Sequence, residues 1–450
     1  MADLERATTD GSDDPTCDHV PPYDVNGWRR SATQGKGRNM IAGDLLEVNV
    51  FDPDLYANGD PGQNGLPVEL FVRLREGAPC VRLPCEIPGH EESAWVLSRY
   101  EDVSAMLREP DRFVSGSGVT MRATHTTVSE DGGKPAMITM DGQAHVRNRR
   151  LVNRGFTPAV VRSFEAHFRT IASDIVQRAV GLGTFDFVGE VASQFPLHAI
   201  CDLLGVPDAD RPALAQWTNT LTTPTDPEYA PTPGEFFNAM EHMWAYGLEL
   251  ADLRRRSPGT DVMSVIVAAA DSDELSEDEL MGFVFTLAAA GNETTRNSAS
   301  HALLALLQRP EQLAWLRERV DRIPDSAIEE LLRWSTPVIY IRRTAARDVE
   351  IAGQQIAAGE AIAGFVASAN FDAGEFPNPL ELDLARQPNR HLTFATGPHL
   401  CMGAHIARLE LRILFEELLS RTKDIQLEGP IDYARDSYVR GVKRLGVRVS

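Results

Sequence analysis

The chain has 450 residues and a formal net charge of −21 at pH 7. Hydrophobic residues make up 43% and charged residues 24%, as in ordinary soluble globular proteins. The negative charge excludes nucleic acid as the main partner, because phosphate binding needs clustered positive charge.

The N-terminal segment and the cysteines predict a cytoplasmic protein. The first residues carry no basic segment followed by an apolar one, so no signal peptide is predicted. The longest apolar stretch, residues 281–291, is too short to cross a bilayer, so no membrane anchor is predicted either. An odd, sparse set of cysteines does not indicate a disulfide framework. The cysteines are Cys17, Cys80, Cys85, Cys201 and Cys401.

The pattern along the chain predicts a mobile tail, residues 1–44, followed by a single domain, residues 45–450. Helices in excess with a small segregated sheet predict a mainly α (α+β) fold. Residues 371–394 show no period and predict a long functional loop. Helical patterns fill 158–182, 190–205, 209–222, 233–256, 276–308, 325–334 and 404–421, and strand patterns fill 338–343, Val349–Ile351 and 362–367.

A long helix is predicted over residues 276–308. Ser276 and Glu279 form a capping box at its start, and Pro310 marks its end. Its middle, AAGNETTRN, combines a glycine with adjacent threonines, which can hydrogen-bond back to the helix backbone and bend it. An acid beside a hydroxyl in such a helix can hold water and relay protons. The alternative is a helix packed closely against a neighbour, with a solvated Glu293.

The sequence HLTFATGPHLCMGAHIARLELRI places Cys401 just before a helix. A thiolate at a helix N-terminus is favoured by the helix dipole and by free backbone N–H groups. Gly397 and Gly403 bracket the cysteine and predict a close approach of the backbone to a flat cofactor. Two alternatives stay open on these residues alone. One is a buried core thiol, and the other is a zinc site with His399 and His405.

The run FATGPHLCMG at residues 394–403 resembles the haem-binding signature of the cytochrome P-450 family. It departs from that signature at Ala395, where the family usually has glycine. The resemblance covers about residues 45–450 and implies the cytochrome P-450 fold, with haem b between the long central helix and the helix after the cysteine. It also implies that Cys401 is the axial ligand of the haem iron, a thiolate that favours O–O cleavage.

The resemblance implies further site residues. The segment AGNETT is similar to the family's oxygen-activation motif, so Thr294 is implied as the hydroxyl that assists oxygen activation and Glu293 as the acid that helps deliver protons. Haem propionates need cationic or hydrogen-bond donating partners. The positions that align with such partners are His145, Arg149, Arg343 and His399. The alternative for each is a solvated surface charge.

Glu330 and Arg333 lie three residues apart on a short predicted helix, a spacing that is common among exposed ion pairs. The resemblance instead implies a structural network, because family members carry Glu-x-x-Arg at this place and a later arginine completes it. Arg386 fits that position. The three are expected to support the loop that carries Cys401. His391, close to the same loop, is left without a role.

The implied activity is that of a monooxygenase that takes two electrons from NAD(P)H. The sequence has no GxGxxG motif opening a βαβ unit and no cysteine cluster, so no flavin or iron–sulfur segment is fused to it. An external ferredoxin with its reductase is therefore the expected electron donor. An acidic ferredoxin is expected to bind a basic patch near the cysteine. This patch comprises Arg147, Arg150, Arg154, Arg408 and Arg412.

The segments NETTRN and RGVKRLGV are similar to bacterial family members that hydroxylate sterol side chains, branched lipids, alkyl chains or terpenoids. A hydrophobic substrate is therefore expected, and Val338, Ile339 and Tyr340 are expected to line an apolar pocket wall. The protein is also expected to be a monomer. Two other functions stay open. A peroxide-driven haem-thiolate peroxygenase would not need the Glu293–Thr294 pair. A non-enzymatic haem sensor is disfavoured because no sensor or DNA-binding module is attached.

Overall fold

A computed structural model describes residues 47–57, 65–87, 90–121, 136–232, 234–259, 261–272 and 275–450. The predicted tail, residues 1–44, lies outside the described residues. Helices dominate, which confirms the predicted mainly α fold. They are α1 (Pro53–Ala57), α2 (Val68–Gly77), α3 (Tyr100–Arg108), α4 (Gly142–Val152), α5 (Pro158–Ser163), α6 (Glu165–Gly181), α7 (Gln194–Leu204), α8 (Arg211–Thr222), α9 (Gly234–Arg256), α10 (Val262–Asp271), α11 (Glu277–Leu307), α12 (Pro310–Arg317), α13 (Asp325–Ser335), α14 (Val366–Ala369) and α15 (Ala404–Arg421).

The strands are short and form small separate sheets. They are β1 (Cys80–Ile87), β2 (His90–Leu97), β3 (Phe113–Val114), β4 (Thr184–Asp186), β5 (Ile341–Ala345), β6 (Val349–Ile351), β7 (Gln354–Ile356), β8 (Ala361–Gly364), β9 (Ile425–Leu427), β10 (Asp432–Tyr433), β11 (Val442–Arg444) and β12 (Gly446–Val449). The largest sheet has the order β1-β2-β8-β5-β3, in which only β2 and β8 run parallel. The others are β4-β12-β9, β6-β7 and β10-β11.

The central helix α11 begins at the predicted capping box. The Ser276 hydroxyl accepts a hydrogen bond from the Glu279 N–H at 3.1 Å, and the Glu279 carboxylate accepts one from the Ser276 N–H at 2.9 Å. The helix ends at Leu307, shortly before Pro310 begins α12. From residue 295 to residue 306 every side chain of α11 is buried. The helix packs against α7, α8, α13 and α15, so it is the core element that positions the rest.

Three predicted boundaries differ from the structure. The pattern at 158–182 is broken into α5 and α6 at Phe164, where ψ opens to −11°. The strand predicted at 362–367 ends at Gly364 and continues as α14, because a short, fully buried apolar run has no periodicity that separates strand from helix. The strand predicted at 338–343 lies later, at Ile341–Ala345.

In the part of the chain that the structure covers, no helix is both long enough and apolar enough to span a membrane.

Candidate active site

Cys401 lies in a loop that runs from residue 394 to residue 403, here called the cysteine loop, at the N-terminus of α15. The Cys401 N–H donates to the Phe394 carbonyl at 2.9 Å, which closes the loop. The thiol is accessible although protein surrounds most of it. Burial raises the pKa of Cys401, while the N–H groups of Gly403 and Ala404 and the charge on Arg149 act to lower it. These donors can hydrogen-bond a thiolate sulfur.

Two positive φ angles shape the cysteine loop. Gly397 has φ +74°, and a Cβ there would lie 2.4 Å from the Leu107 carbonyl oxygen at the end of α3. The close approach predicted at Gly397 is therefore one between two backbone segments. Ala395, the departure from the family signature, has φ +56°. A non-glycine residue in this region is disfavoured, so the loop holds Ala395 in a strained backbone conformation.

Four cationic or donor groups meet beside the cysteine loop. His145 on α4 stacks on His399, with ring centroids 4.0 Å apart. Burial, followed by Arg343, His145 and Arg149, lowers the pKa of His399 to about 3. The four predicted donors thus share one region of the molecule. His145 and Arg343 are 4% and 3% exposed, so neither is a solvated surface charge.

Arg343 is the more deeply buried of the two arginines in this cluster. Its guanidinium donates to the Arg342 carbonyl at 2.8 Å, and burial lowers its pKa to about 10. Arg149 donates to the carbonyl of Leu400 in the cysteine loop. Within the described ranges neither arginine forms an ion pair. A buried, charged guanidinium without a carboxylate is costly, so this donor set fits a ligand that brings carboxylates.

The predicted back-bonding threonines are present on α11. The Thr294 hydroxyl donates to the Ala290 carbonyl at 2.6 Å, and the Thr295 hydroxyl donates to the Gly291 carbonyl at 3.1 Å. Ala290 is exposed, and Gly291 and Thr294 are half-buried, although the residues that follow are buried. Ala290 and Thr294, one turn apart, therefore form an accessible strip just before the fully buried part of the helix. The Thr294 oxygen retains lone pairs that can accept a hydrogen bond there.

Glu293 is fully buried, so the alternative of a solvated side chain is wrong. Its carboxylate forms an ion pair with Arg296 and accepts a hydrogen bond from the Asn297 amide at 2.8 Å. The Arg296 guanidinium also donates to Asn219 on α8 at 2.8 Å. In this conformation Glu293 has no direct path to solvent. A proton relay through it needs a side-chain rotation that breaks the pair with Arg296.

The structure brings Glu330, Arg333 and Arg386 together in the core. Arg333 donates two hydrogen bonds to the Glu330 carboxylate, both at 2.8 Å, and the Arg386 Nε lies 3.1 Å from Glu330 Oε2. Arg333 also donates to the Asn370 carbonyl at 2.8 Å. The Asn370 side chain in turn binds Leu392 N–H at 2.7 Å, just before the cysteine loop. The network therefore reaches the loop through Asn370.

A second support of the cysteine loop was not predicted. The Glu329 carboxylate binds the Arg408 guanidinium and lies 3.1 Å from His391 Nε2. The Arg408 guanidinium stacks over the Phe394 ring at 4.5 Å. These hydrogen bonds lower the pKa of Glu329 to about 2, against the effect of burial. Glu329 is one of many acidic residues in the sequence, and only the juxtaposition of α13 with α15 reveals its partners.

The predicted apolar pocket wall is wrong for two of its three residues. Ile339 and Tyr340 are fully buried in the core, where Tyr340 packs against Phe51 with ring centroids 5.3 Å apart, so neither lines an accessible wall. Val338 is half-buried. The zinc alternative finds no support either, because His405 is exposed and the described residues contain no cluster of three or more potential metal ligands.

The predicted basic patch is largely neutralised. Arg147 pairs with Glu279, Arg408 with Glu329, and Arg412 with Asp325. Arg150 is exposed and forms no ion pair with any described residue. The side chain of Arg154 lies outside the described residues.

Comparison with known proteins identifies the family. The family model Cytochrome P450 matches residues 238–424. A methyl-branched lipid omega-hydroxylase of Mycobacterium tuberculosis is 36% identical over 411 residues, which cover 90% of this chain and 95% of that protein. The chain belongs to the cytochrome P450 family. A steroid C26-monooxygenase of Rhodococcus jostii is also 36% identical, over a region that covers 88% of this chain and 83% of that protein.

The fold agrees with this assignment. A Mycobacterium marinum cytochrome P450 in complex with pseudoionone superposes with a TM-score of 0.81 at 35% identity, covering 88% of this chain and 97% of that one. As a member of this family the protein is an oxidoreductase of the monooxygenase class. The cytochrome P450 family implies a haem cofactor, and the donor cluster around Arg343 has the chemistry to bind its two propionates.

Proposed function

We propose that this protein is a haem b monooxygenase with Cys401 as the axial thiolate, and that it hydroxylates an apolar small molecule. When bound, the haem iron activates molecular oxygen for insertion of one oxygen atom into a C–H bond. The observation that carries the proposal is the exposed Cys401 beside four cationic or donor side chains, of which the buried Arg343 forms no ion pair with any described residue. His145, Arg149, Arg343 and His399 would hold the propionates.

The proposed substrate class is a steroid or branched lipid with a methyl-terminated chain, or a terpenoid. Its support is twofold. The similar proteins are named for the hydroxylation of methyl-branched lipids and of steroid C26, both at the end of a hydrocarbon chain. The accessible strip of α11 presents the exposed Ala290, which is small and offers no charge. An apolar chain end fits such a surface better than a polar one.

The cofactor and the substrate class can be tested on the purified protein. Reduction under carbon monoxide should give the red-shifted Soret band of a thiolate-ligated haem, and its absence would overturn the proposal. Steroids, branched fatty acids and terpenoids are then titrated in parallel. A substrate that enters the haem pocket shifts the spin-state bands. The compound class with the lowest concentration at half-saturation is the preferred substrate class. The absence of a spin-state shift with all three classes would contradict the proposed substrate class.

Thr294→Ala should uncouple electron consumption from product formation, by about 10-fold in product per NAD(P)H. The reason is that alanine removes the hydroxyl on the strip, whose oxygen keeps lone pairs free while it donates to Ala290. Thr170→Ala is the matched control, because Thr170 makes the same kind of hydrogen bond, to Ala166 at 3.1 Å, on α6. Coupling ratios are measured from NAD(P)H consumed and product formed. Unchanged coupling in Thr294→Ala, or efficient turnover with hydrogen peroxide alone, would favour the peroxygenase alternative.

Electrons are proposed to come from NAD(P)H through a separate acidic ferredoxin that binds near Arg150. Arg147, Arg408 and Arg412 of the patch are paired, whereas Arg150 on α4 is exposed and has no ion pair with any described residue. Arg150→Glu should slow reduction by ferredoxin about 10-fold at low salt, and the wild-type rate should fall more steeply than the variant's rate as ionic strength rises. Arg256→Glu, at the exposed end of α9, is the control of equal charge change. A stopped-flow rate of reduction by ferredoxin that changes neither with ionic strength nor in Arg150→Glu would contradict this docking site.

A further inference from the structure

The guanidinium of Arg296 on α11 has a second polar partner besides Glu293. Arg296 is 2% exposed, and its Nη2 pairs with the Glu293 carboxylate, while its Nη1 donates to Asn219 Oδ1 on α8 at 2.8 Å. In addition, its Cζ lies 5.8 Å from the ring centroid of Tyr229, in the segment that joins α8 to α9. An acid, an amide and an aromatic ring therefore share one buried cation.

The segment that carries Tyr229 is held in place from two directions. The Thr220 hydroxyl of α8 donates to the Tyr229 carbonyl at 2.8 Å. Asp226, which is fully buried in the same segment, accepts a hydrogen bond from the Arg435 N–H between β10 and β11 at 2.8 Å. The two partners of Arg296 that lie outside α11 therefore belong to a braced part of the structure.

These partners reduce the cost of breaking the pair between Glu293 and Arg296. A buried cation that loses its only partner is strongly destabilised. While Glu293 is paired, its charge offsets that of Arg296, and the bond to Asn219 resembles one between neutral groups. Once the carboxylate turns away, the same bond is made by an uncompensated cation and is worth more, as is the contact with the Tyr229 ring. Asn219 and Tyr229 therefore stabilise the released state of Glu293 more than the paired state.

We propose that Asn219 is a positioning residue: together with Tyr229 it holds the Arg296 guanidinium while Glu293 turns out of its pair to carry a proton toward the Thr294 hydroxyl. Asn219 acts through Arg296 and needs no contact with the reacting atoms. Its effect on turnover rests on the proposed monooxygenase function. The sharing of one guanidinium by Glu293 and Asn219 does not.

Infrared difference spectroscopy tests the shared guanidinium without any turnover. Asn219→Asp places a second carboxylate on Arg296, and one cation cannot balance two carboxylates at a buried site, so one of the two acids takes up a proton. The spectrum of Asn219→Asp minus that of the wild type should therefore contain the C=O stretch of a protonated carboxylic acid. The Asn219→Asp/Glu293→Gln double variant should lose this band, because a single carboxylate then pairs with Arg296. Absence of the band in Asn219→Asp, or its persistence in the double variant, overturns the proposal.

Coupling of NAD(P)H consumption to product formation tests the positioning role. Asn219→Leu keeps the size of the side chain but removes the acceptor, and should lower product per NAD(P)H about 5-fold. The kinetic solvent isotope effect on product formation should rise, because proton delivery becomes slower, whereas looser packing of α8 alone would not change it. Gln216→Leu is the matched control, since Gln216 is exposed one turn earlier on the same helix. Its coupling should stay within about 2-fold of the wild type.

Arg296→Gln shows whether Asn219 acts through the guanidinium. In this background Asn219→Leu should change coupling no further, because the contact that it removes is already lost. Additive losses, or a solvent isotope effect in Asn219→Leu equal to that of the wild type, would contradict the proposal. If the wild type shows no monooxygenase turnover, the proposed function fails, while the infrared bands still decide whether Asn219 and Glu293 share Arg296.

Discussion

Cys401→Ser is expected to remove the red-shifted Soret band of the reduced, carbon monoxide-bound protein and to lower product formation by at least about 100-fold. Loss of an outer partner of a metal site already costs up to about 100-fold, and here the ligand itself is lost. Serine keeps the shape of the side chain and the N–H donors of Gly403 and Ala404. The loss therefore reports on the sulfur and not on the folding of the loop.

The control for this variant is a buried cysteine outside the cysteine loop. Cys80→Ala removes a buried thiol at the start of β1, outside the cysteine loop. Its spectrum should keep the thiolate band at wild-type haem content. Retention of the red-shifted band by Cys401→Ser, or its loss in Cys80→Ala, would show that another residue ligates the iron.

The parts of the site that could be predicted are those whose structure is determined by residues close together in the sequence. The capping box fixed the start of α11, and the signature at 394–403 located the loop before α15. The fold class followed from the excess of helical patterns. The strands after residue 421 were missed, because β9 to β12 have two to four residues each and show little alternation.

What could not be predicted are contacts between residues far apart in the chain. Glu329 meets Arg408 across 79 positions, and Asn370 reaches Leu392 from the far side of the loop at 371–394. In each case the side chain has no local pattern, and its role depends on how two elements pack.

Glu330→Ala should destabilise the protein by about 3–5 kcal/mol, because it leaves two buried arginines without their shared carboxylate. Glu330 and Arg333 are fully buried and Arg386 is 8% exposed, so solvent cannot replace the lost partner. The cysteine loop depends on this network through Asn370. We therefore expect haem content per chain to fall sharply, with the free energy of unfolding measured by urea titration.

The matched control is an exposed pair with the same spacing and nearly the same length. Glu109 and Arg112 are three residues apart, with Oε2 and Nη1 at 2.7 Å, and their side chains are 41% and 29% exposed. Glu109→Ala should cost less than about 1 kcal/mol, since water solvates the remaining charge. Haem content in Glu109→Ala should equal that of the wild type. Equal destabilisation by the two substitutions would mean that Glu330 makes no special contribution, and that the cysteine loop depends on the contacts around Glu329 instead.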